Sequence, residues 1–150
     1  MLFRTHLAAG FLVSIYLIRI LNIENQISFV AVLLFFSVFP DIDENTSKVW
    51  KKLRPASYFA SLLGHRNLMH TIYFPVAISL TFTALNLRIL GLAALVGYLL
   101  HISLDMLSKK GIAPFYPLSQ KKIRGFMKVG SFAETAIFFS MILMILYSLL

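Results

Sequence analysis

Arg88-Ile-Leu-Gly-Leu-Ala-Ala-Leu-Val-Gly-Tyr-Leu-Leu-His-Ile-Ser-Leu-Asp-Met-Leu107 decides the reading of this chain. After Arg88 it carries only two ionisable groups, His101 and Asp105, and it is apolar on every helical face. That pattern marks a helix in lipid or deep in a core, and the run approaches the ~20 residues needed to cross a bilayer. His101 and Asp105 stand four residues apart at one end, so a helix stacks them on one face, one turn apart. Ionisable groups are costly in or beside a span and call for a reason. A hydrogen bond stapling two helices is one reason, and a shared metal ion is another. Gly97, one turn before His101, lets a second helix approach closely.

Four more apolar runs lie outside this one. They cover His6 to Leu21 with Arg19 inside, Ile27 to Phe39 ended by Pro40, Asn67 to Leu85, and Ser131 to the C-terminus. The chain has 150 residues, is 59% hydrophobic and has a mean hydropathy of +0.81. These values predict an all-α integral membrane protein, a helical bundle of four or five spans forming a single domain over residues 1–150. The first run lacks a small-residue cleavage site and is expected to be a retained span. No cysteine is present, which excludes disulfides, iron–sulfur clusters and thiolate zinc sites. The net charge of +8 reads as topology and attraction to anionic lipid. Membrane lipid is therefore the expected partner, and no nucleic acid is expected.

Twelve of the fourteen Lys and Arg are Arg4 or lie in two longer connections, Asp41–Arg66 and Ser108–Gly130. Only Arg19 and Arg88 fall in the turns on the other side. The positive-inside rule then puts the N-terminus and both connections in the cytoplasm. The same topology gathers eight of the ten acids and histidines at that face: His6, Asp41, Asp43, His65, His70, His101, Asp105 and Glu134. The charge count is blind to where these groups lie, so their agreement on one face points to one site. Imidazoles with carboxylates, and no thiol, suit zinc first, with manganese or iron as alternatives, better than calcium.

Each piece has its own logic. Phe39-Pro40-Asp41-Ile42-Asp43 stops a helix, and in extended chain its two carboxylates point apart, so one of them is expected to be a ligand. Asn67 reads as a helix N-cap, with His65 before the helix and His70 in its first turn. Arg66 between them suits an anionic oxygen, and Lys51, Arg54 and Lys109 are further candidates. Asp43 or Glu134 can serve as a general base or orient an imidazole. Taken singly, several of these residues also read as ordinary helix exits, interfacial polar groups or an acid favoured by a helix N-terminus.

Thr5-His6-Leu7-Ala8-Ala9-Gly10, Phe39-Pro40-Asp41-Ile42-Asp43, His65-Arg66 through His70-Thr71, Gly97 through Asp105, and Gly111 through Pro117-Leu118 together resemble the YdjM-type family. The motifs keep their order over nearly the whole chain. The resemblance implies a small inner-membrane protein of a class regarded as metal-dependent hydrolases. Asn67-Leu68-Met69 departs from the small and hydroxylated residues expected between the histidines. A more distant likeness, to zinc-dependent phospholipase C, rests on the order His, Pro-Asp, His, then His-x-x-x-Asp. It implies that Asp41, one of His65 or His70, His101 and Asp105 hold one metal, with His6 and Asp105 holding a second. No histidine follows His101, so a dinuclear centre, completed by Glu134, is the most this likeness implies.

The resulting expectation is hydrolysis of a phosphoester in a lipid or amphiphilic substrate by metal-activated water. Two alternatives stand beside it. One is a non-catalytic membrane protein that binds a metal or a lipid headgroup. The other is a metal-independent enzyme similar to phosphatidic-acid phosphatases, though the spacing from Lys48 to Arg54 and the residues before His101 depart from that pattern.

Overall fold

Turn and capping residues cut the apolar runs into helices in the computed structural model, which describes residues 1–43 and 69–150. Helix α1 covers Phe3–Leu21 and stops at Asn22, whose left-handed backbone (φ 48°) returns its N–H to Ile18 O. Helix α2 covers Gln26–Val38, and the Asn25 side chain caps it by accepting the Ser28 N–H. At Pro40 the chain tightens into a 3₁₀ turn, Phe39–Asp43. Helices α3 (Tyr73–Ala84), α4 (Arg88–Met106) and α5 (Phe132–Leu149) follow, the last capped by Ser131. The described residues contain no strand, only two isolated β-bridges, so the architecture is an all-helical bundle.

Helices α1, α4 and α5 are long and apolar enough to cross a membrane. At 13 and 12 residues, α2 and α3 are apolar but shorter. One expected boundary moves. The helix of the third run is Tyr73–Ala84, which leaves His70 in the turn before it instead of in its first turn, while the expected cap at Asn67 lies outside the described residues. Residues 70–72 are held outside the helix by tertiary bonds: Ile72 N–H donates to Pro114 O at 3.0 Å.

Helices α2 and α4 form the centre. In lipid, helices gain little from hiding apolar surface from one another, so close backbone approach matters more. Ala93, Ala94 and Gly97 provide it, and a Cβ placed on Gly97 would lie 2.3 Å from Leu33 O. Phe29, Leu33 and Ala93 fill one core cluster, while Phe36, Ala94, Tyr98 and Ile102 fill another. Helix α3 packs on α4, and α1 packs between α2 and α5. Helices α1 and α5 run parallel: Thr5 donates to Glu134 at one end, and Arg19 donates to Ser148 O at the other. Ile27, Leu80, Phe139 and Leu143 point outward with most of their surface exposed, as lipid-facing residues should.

Residues 108–130 return over the end of the bundle where α4 finishes. Ile112 and Ile123 exchange backbone bonds of 3.1 and 2.8 Å, and Lys109 N–H donates to Met127 O at 2.8 Å. Gly111 makes this pairing possible. Its φ is +63°, and a Cβ there would sit 2.4 Å from Ile123 O.

Candidate metal centre

Five side chains meet at this end of the bundle, from four separate parts of the chain. His6 lies in the first turns of α1, Asp41 on the 3₁₀ turn after α2, His70 in the turn before α3, and His101 with Asp105 on α4. His70 Nε2 lies 3.6 Å from Asp41 Oδ1 and 3.7 Å from Asp105 Oδ2. His101 Nε2 lies 3.5 Å from the same Asp41 oxygen and 3.7 Å from the same Asp105 oxygen. One donor atom from each of these four residues falls within 4.8 Å of all the others. Around a tetrahedral zinc with bonds of about 2.0–2.1 Å, neighbouring ligand atoms stand about 3.4 Å apart.

His6 faces the other two carboxylate oxygens. Its Nε2 is 3.4 Å from Asp105 Oδ1 and 4.0 Å from Asp41 Oδ2. Its ring stacks on that of His101 at 4.1 Å between centroids. The Met1 amine also contacts Asp105 Oδ1. The geometry thus divides the carboxylate oxygens between two adjacent positions, one bordered by His70 and His101, the other by His6.

The hydrogen bonds test whether a cation fits. His101 Nδ1 is 2.9 Å from Ser37 O, and a carbonyl only accepts, so Nδ1 carries the proton. A neutral imidazole then has a bare lone pair on Nε2, aimed at two carboxylates that also only accept. His101 Nε2 is buried with no hydrogen-bond partner, and so are both ring nitrogens of His6. Acceptors converging on acceptors in a buried place are unfavourable unless a cation lies among them. A backbone carbonyl behind a histidine is also the usual device that fixes the tautomer and direction of a metal-ligating ring. The donor set therefore fits a divalent metal. Burial pushes the Asp41 carboxyl up. With no ion between them, the imidazoles of His101 and His70 outweigh that push, and hold the group well below the ordinary carboxylate range, only by facing it as protonated donors.

Two contacts aim His70. Tyr98 Oη donates to Met69 O at 2.6 Å, and Ile72 N–H is held by Pro114 O. The backbone on both sides of the imidazole is thereby fixed. Neither Tyr98 nor the Ser37 carbonyl has a sequence signature, since each acts through a tertiary contact.

Glu134 does not join the five. Its Oε1 accepts from Leu2 N–H at 2.6 Å and Thr5 Oγ at 3.1 Å, and its Oε2 accepts from Gly130 N–H at 2.6 Å. Those bonds engage both oxygens and tie the start of α1, with His6 in it, to the start of α5. The expected roles of His65 and Arg66, and of Lys51 and Arg54, fall outside the described residues. Asp43 ends the 3₁₀ turn that carries Asp41.

A cavity of about 290 Å³ opens on the cluster. Asp41, His70 and Asp105 lie in its wall together with Lys110 and Lys122. Lys109, the anion-binding candidate named from this stretch of sequence, does not line it. Charge counting cannot separate these neighbours, because only the Gly111 turn and the Ile112–Ile123 pairing decide which lysine faces inward.

Fold and site together define a helical membrane protein with a histidine–carboxylate cluster at one end of its bundle. The chain belongs to the YdjM inner membrane protein family, whose family model matches residues 1–150. No curated protein and no solved structure matches it.

Proposed function

We propose that this protein is a membrane-bound, metal-dependent hydrolase that acts on a phosphoester in a lipid or amphiphile. The observation that carries the reading is the buried, unpartnered Nε2 of His101, aimed at Asp41 and Asp105. In this reading Asp41, His70, His101 and Asp105 hold one divalent metal, zinc before manganese or iron. His6 with the second oxygens of Asp41 and Asp105 forms a second position, so the centre is dinuclear. When bound, such a pair lowers the pKa of a water and neutralises charge that builds up on a phosphoryl oxygen.

The chain's own groups supply direction. The Ser37 carbonyl keeps the proton of His101 on Nδ1 and leaves Nε2 free to ligate. Tyr98 fixes the peptide before His70, and Glu134 fixes the turn before His6. The twelve cations of Arg4 and the two long connections support a multi-pass arrangement with the site facing the cytoplasm. The site then lies where headgroups of the inner leaflet reach it.

The test is metal analysis of detergent-purified protein beside His101→Ala and Asp105→Ala, together with chelator-sensitive hydrolysis of short-chain phospholipids. About two equivalents of metal, lost in both variants while the fold persists, is the expected result. Protein that neither retains metal nor takes it up on addition would exclude this chemistry. The purely structural and phosphatase-like alternatives would then lead.

A further inference from the structure

The segment between α4 and α5 carries large apolar side chains on its outer side. Leu118 is 84% exposed, Phe126 75%, and Phe132, at the start of α5, 89%. Backbone bonds hold the segment against the end of α4. Besides the Ile112–Ile123 pair, Gly125 N–H donates to Ser108 O and Met127 N–H to Leu107 O, each at 3.0 Å, and Ser119 N–H closes a turn on Phe115 O at 2.9 Å. The side toward the bundle is already filled, because Ala113 and Met127 are buried there. On either side of Met127 the alternate residues Arg124, Phe126 and Lys128 are exposed, and Lys121 is exposed close after Leu118. No acidic residue lies between Ser108 and Gly130. Both α4 and α5 are long and apolar enough to span, so the chain that joins them lies at the bilayer surface.

We propose that this segment is an interfacial anchor whose partner is an anionic lipid leaflet. Leu118, Phe126 and Phe132 enter the boundary between headgroups and acyl chains, and Lys121, Arg124 and Lys128 bind the phosphates around them. Apolar side chains ringed by Lys and Arg are the combination that such a boundary attracts, through buried apolar area and through charge. Continuity with the span favours lipid over a soluble protein as the occupant. Phe132, Phe139 and Leu143 stand seven and eleven residues apart, so they share one face of α5, and all three are mostly exposed. That apolar face runs from the hydrocarbon directly into the segment. Nothing in this anchor depends on a bound metal, but it bears on the cavity. Ile112, Lys122 and Val129 belong to the same segment and to the cavity wall, so the opening over the cluster sits at headgroup depth.

The chain has no cysteine, so a single introduced one takes a fluorescent label alone. Leu118→Cys and Phe126→Cys, each labelled in the full chain and placed in lipid nanodiscs, test the anchor. Leu143→Cys on α5 is the lipid reference, and Glu24→Cys in the exposed turn between α1 and α2 is the water reference. All four side chains are exposed, so the labels leave packing intact. Nitroxide-bearing lipid should quench the labels at 118 and 126 to within about twofold of the label at 143, and a water-soluble quencher should reach them far less than the label at 24. Labels at 118 and 126 that the soluble quencher reaches as freely as the one at 24 would overturn the anchor. In discs of mixed lipid, nitroxide on phosphatidylglycerol should quench about twofold or more beyond nitroxide on phosphatidylcholine. The combined change Lys121→Gln, Arg124→Gln and Lys128→Gln should abolish that preference. Equal quenching by the two lipids in the parent protein, or a preference that survives the combined change, would overturn the role given to the three cations.

Discussion

Gly97→Ala tests whether the α2–α4 contact sets the geometry of the cluster. The added methyl would lie 2.3 Å from Leu33 O, whereas ordinary contact begins near 3.4 Å. A backbone carbonyl cannot rotate away as a side chain tip can, so α2 must retreat from α4 by about 1 Å at this level. Ser37 lies one turn further along α2, and its carbonyl stands 2.9 Å from His101 Nδ1. A shift of about 1 Å stretches that bond beyond hydrogen-bonding range. His101 then loses the group that fixes its proton and direction, and Asp41, carried just beyond α2, moves relative to Asp105. Loss of such an outer partner typically lowers metal affinity about 10–100-fold, and overpacking costs about 1–3 kcal/mol of stability. Competition with a chelator of known affinity reads the first effect, and thermal unfolding in detergent reads the second. Gly91→Ala is the control. A methyl there meets Ser79 O at 3.0 Å and Phe82 Cβ at 3.1 Å, on the α3 side and nearly two turns away, so metal affinity should stay near wild type. A folded Gly97→Ala protein with undiminished metal affinity would refute the argument.

Three further outcomes follow from the site. Tyr98→Phe deletes the donor to Met69 O and should cost about 1–2 kcal/mol of stability. It should also weaken metal binding through His70, so an unchanged chelator titration would count against Tyr98 as a positioning residue. Glu134→Gln exchanges a carboxylate held by three donors for an amide that can accept through only one atom. Unfolding should become easier by about 1–3 kcal/mol while metal held by Asp41, His70, His101 and Asp105 persists. Lost turnover with stability and metal both intact would instead make Glu134 a general base. Acidification should release metal, because a histidine must be neutral to ligate, and protons compete for it as the pH falls through the imidazole range. Asp41 is held below the ordinary carboxylate range and stays ionised there, so the loss should follow histidine protonation. Equal metal retention in dialysis at about pH 5 and pH 7.5 would contradict this.

The helices and the placing of the cluster were legible because each rests on local pattern. An apolar run long enough for lipid, stopped by Pro40 or capped by Ser131, reads the same in sequence and in space. His101 and Asp105 were legible as a pair because helical spacing alone puts them one turn apart. His70 was legible as a member of the group but not in its setting, since bonds to Tyr98 and Pro114 hold its segment outside α3. Glu134 was legible as an acid at this end of the bundle but not in its contacts. Its donors are Leu2, Thr5 and Gly130, and two of these are backbone groups with no residue signature. That Lys110 lines the cavity and Lys109 does not was illegible too, as the pairing of Ile112 with Ile123 sets the path of this stretch.

The scatter of the five clustered side chains along the chain has a consequence for biosynthesis under the metal-binding proposal. His6 enters the membrane with the first helix, but Asp105 comes only at the end of the fourth, and His70 and Asp41 belong to the stretches between. A partly inserted chain therefore holds isolated imidazoles and carboxylates with no mutual geometry, and on that proposal metal affinity is absent until α4 is seated against α2. Loading would then be the last event of assembly. An ion that is retained certifies that four helices have reached their places, and a chain that stalls earlier carries nothing to retain it.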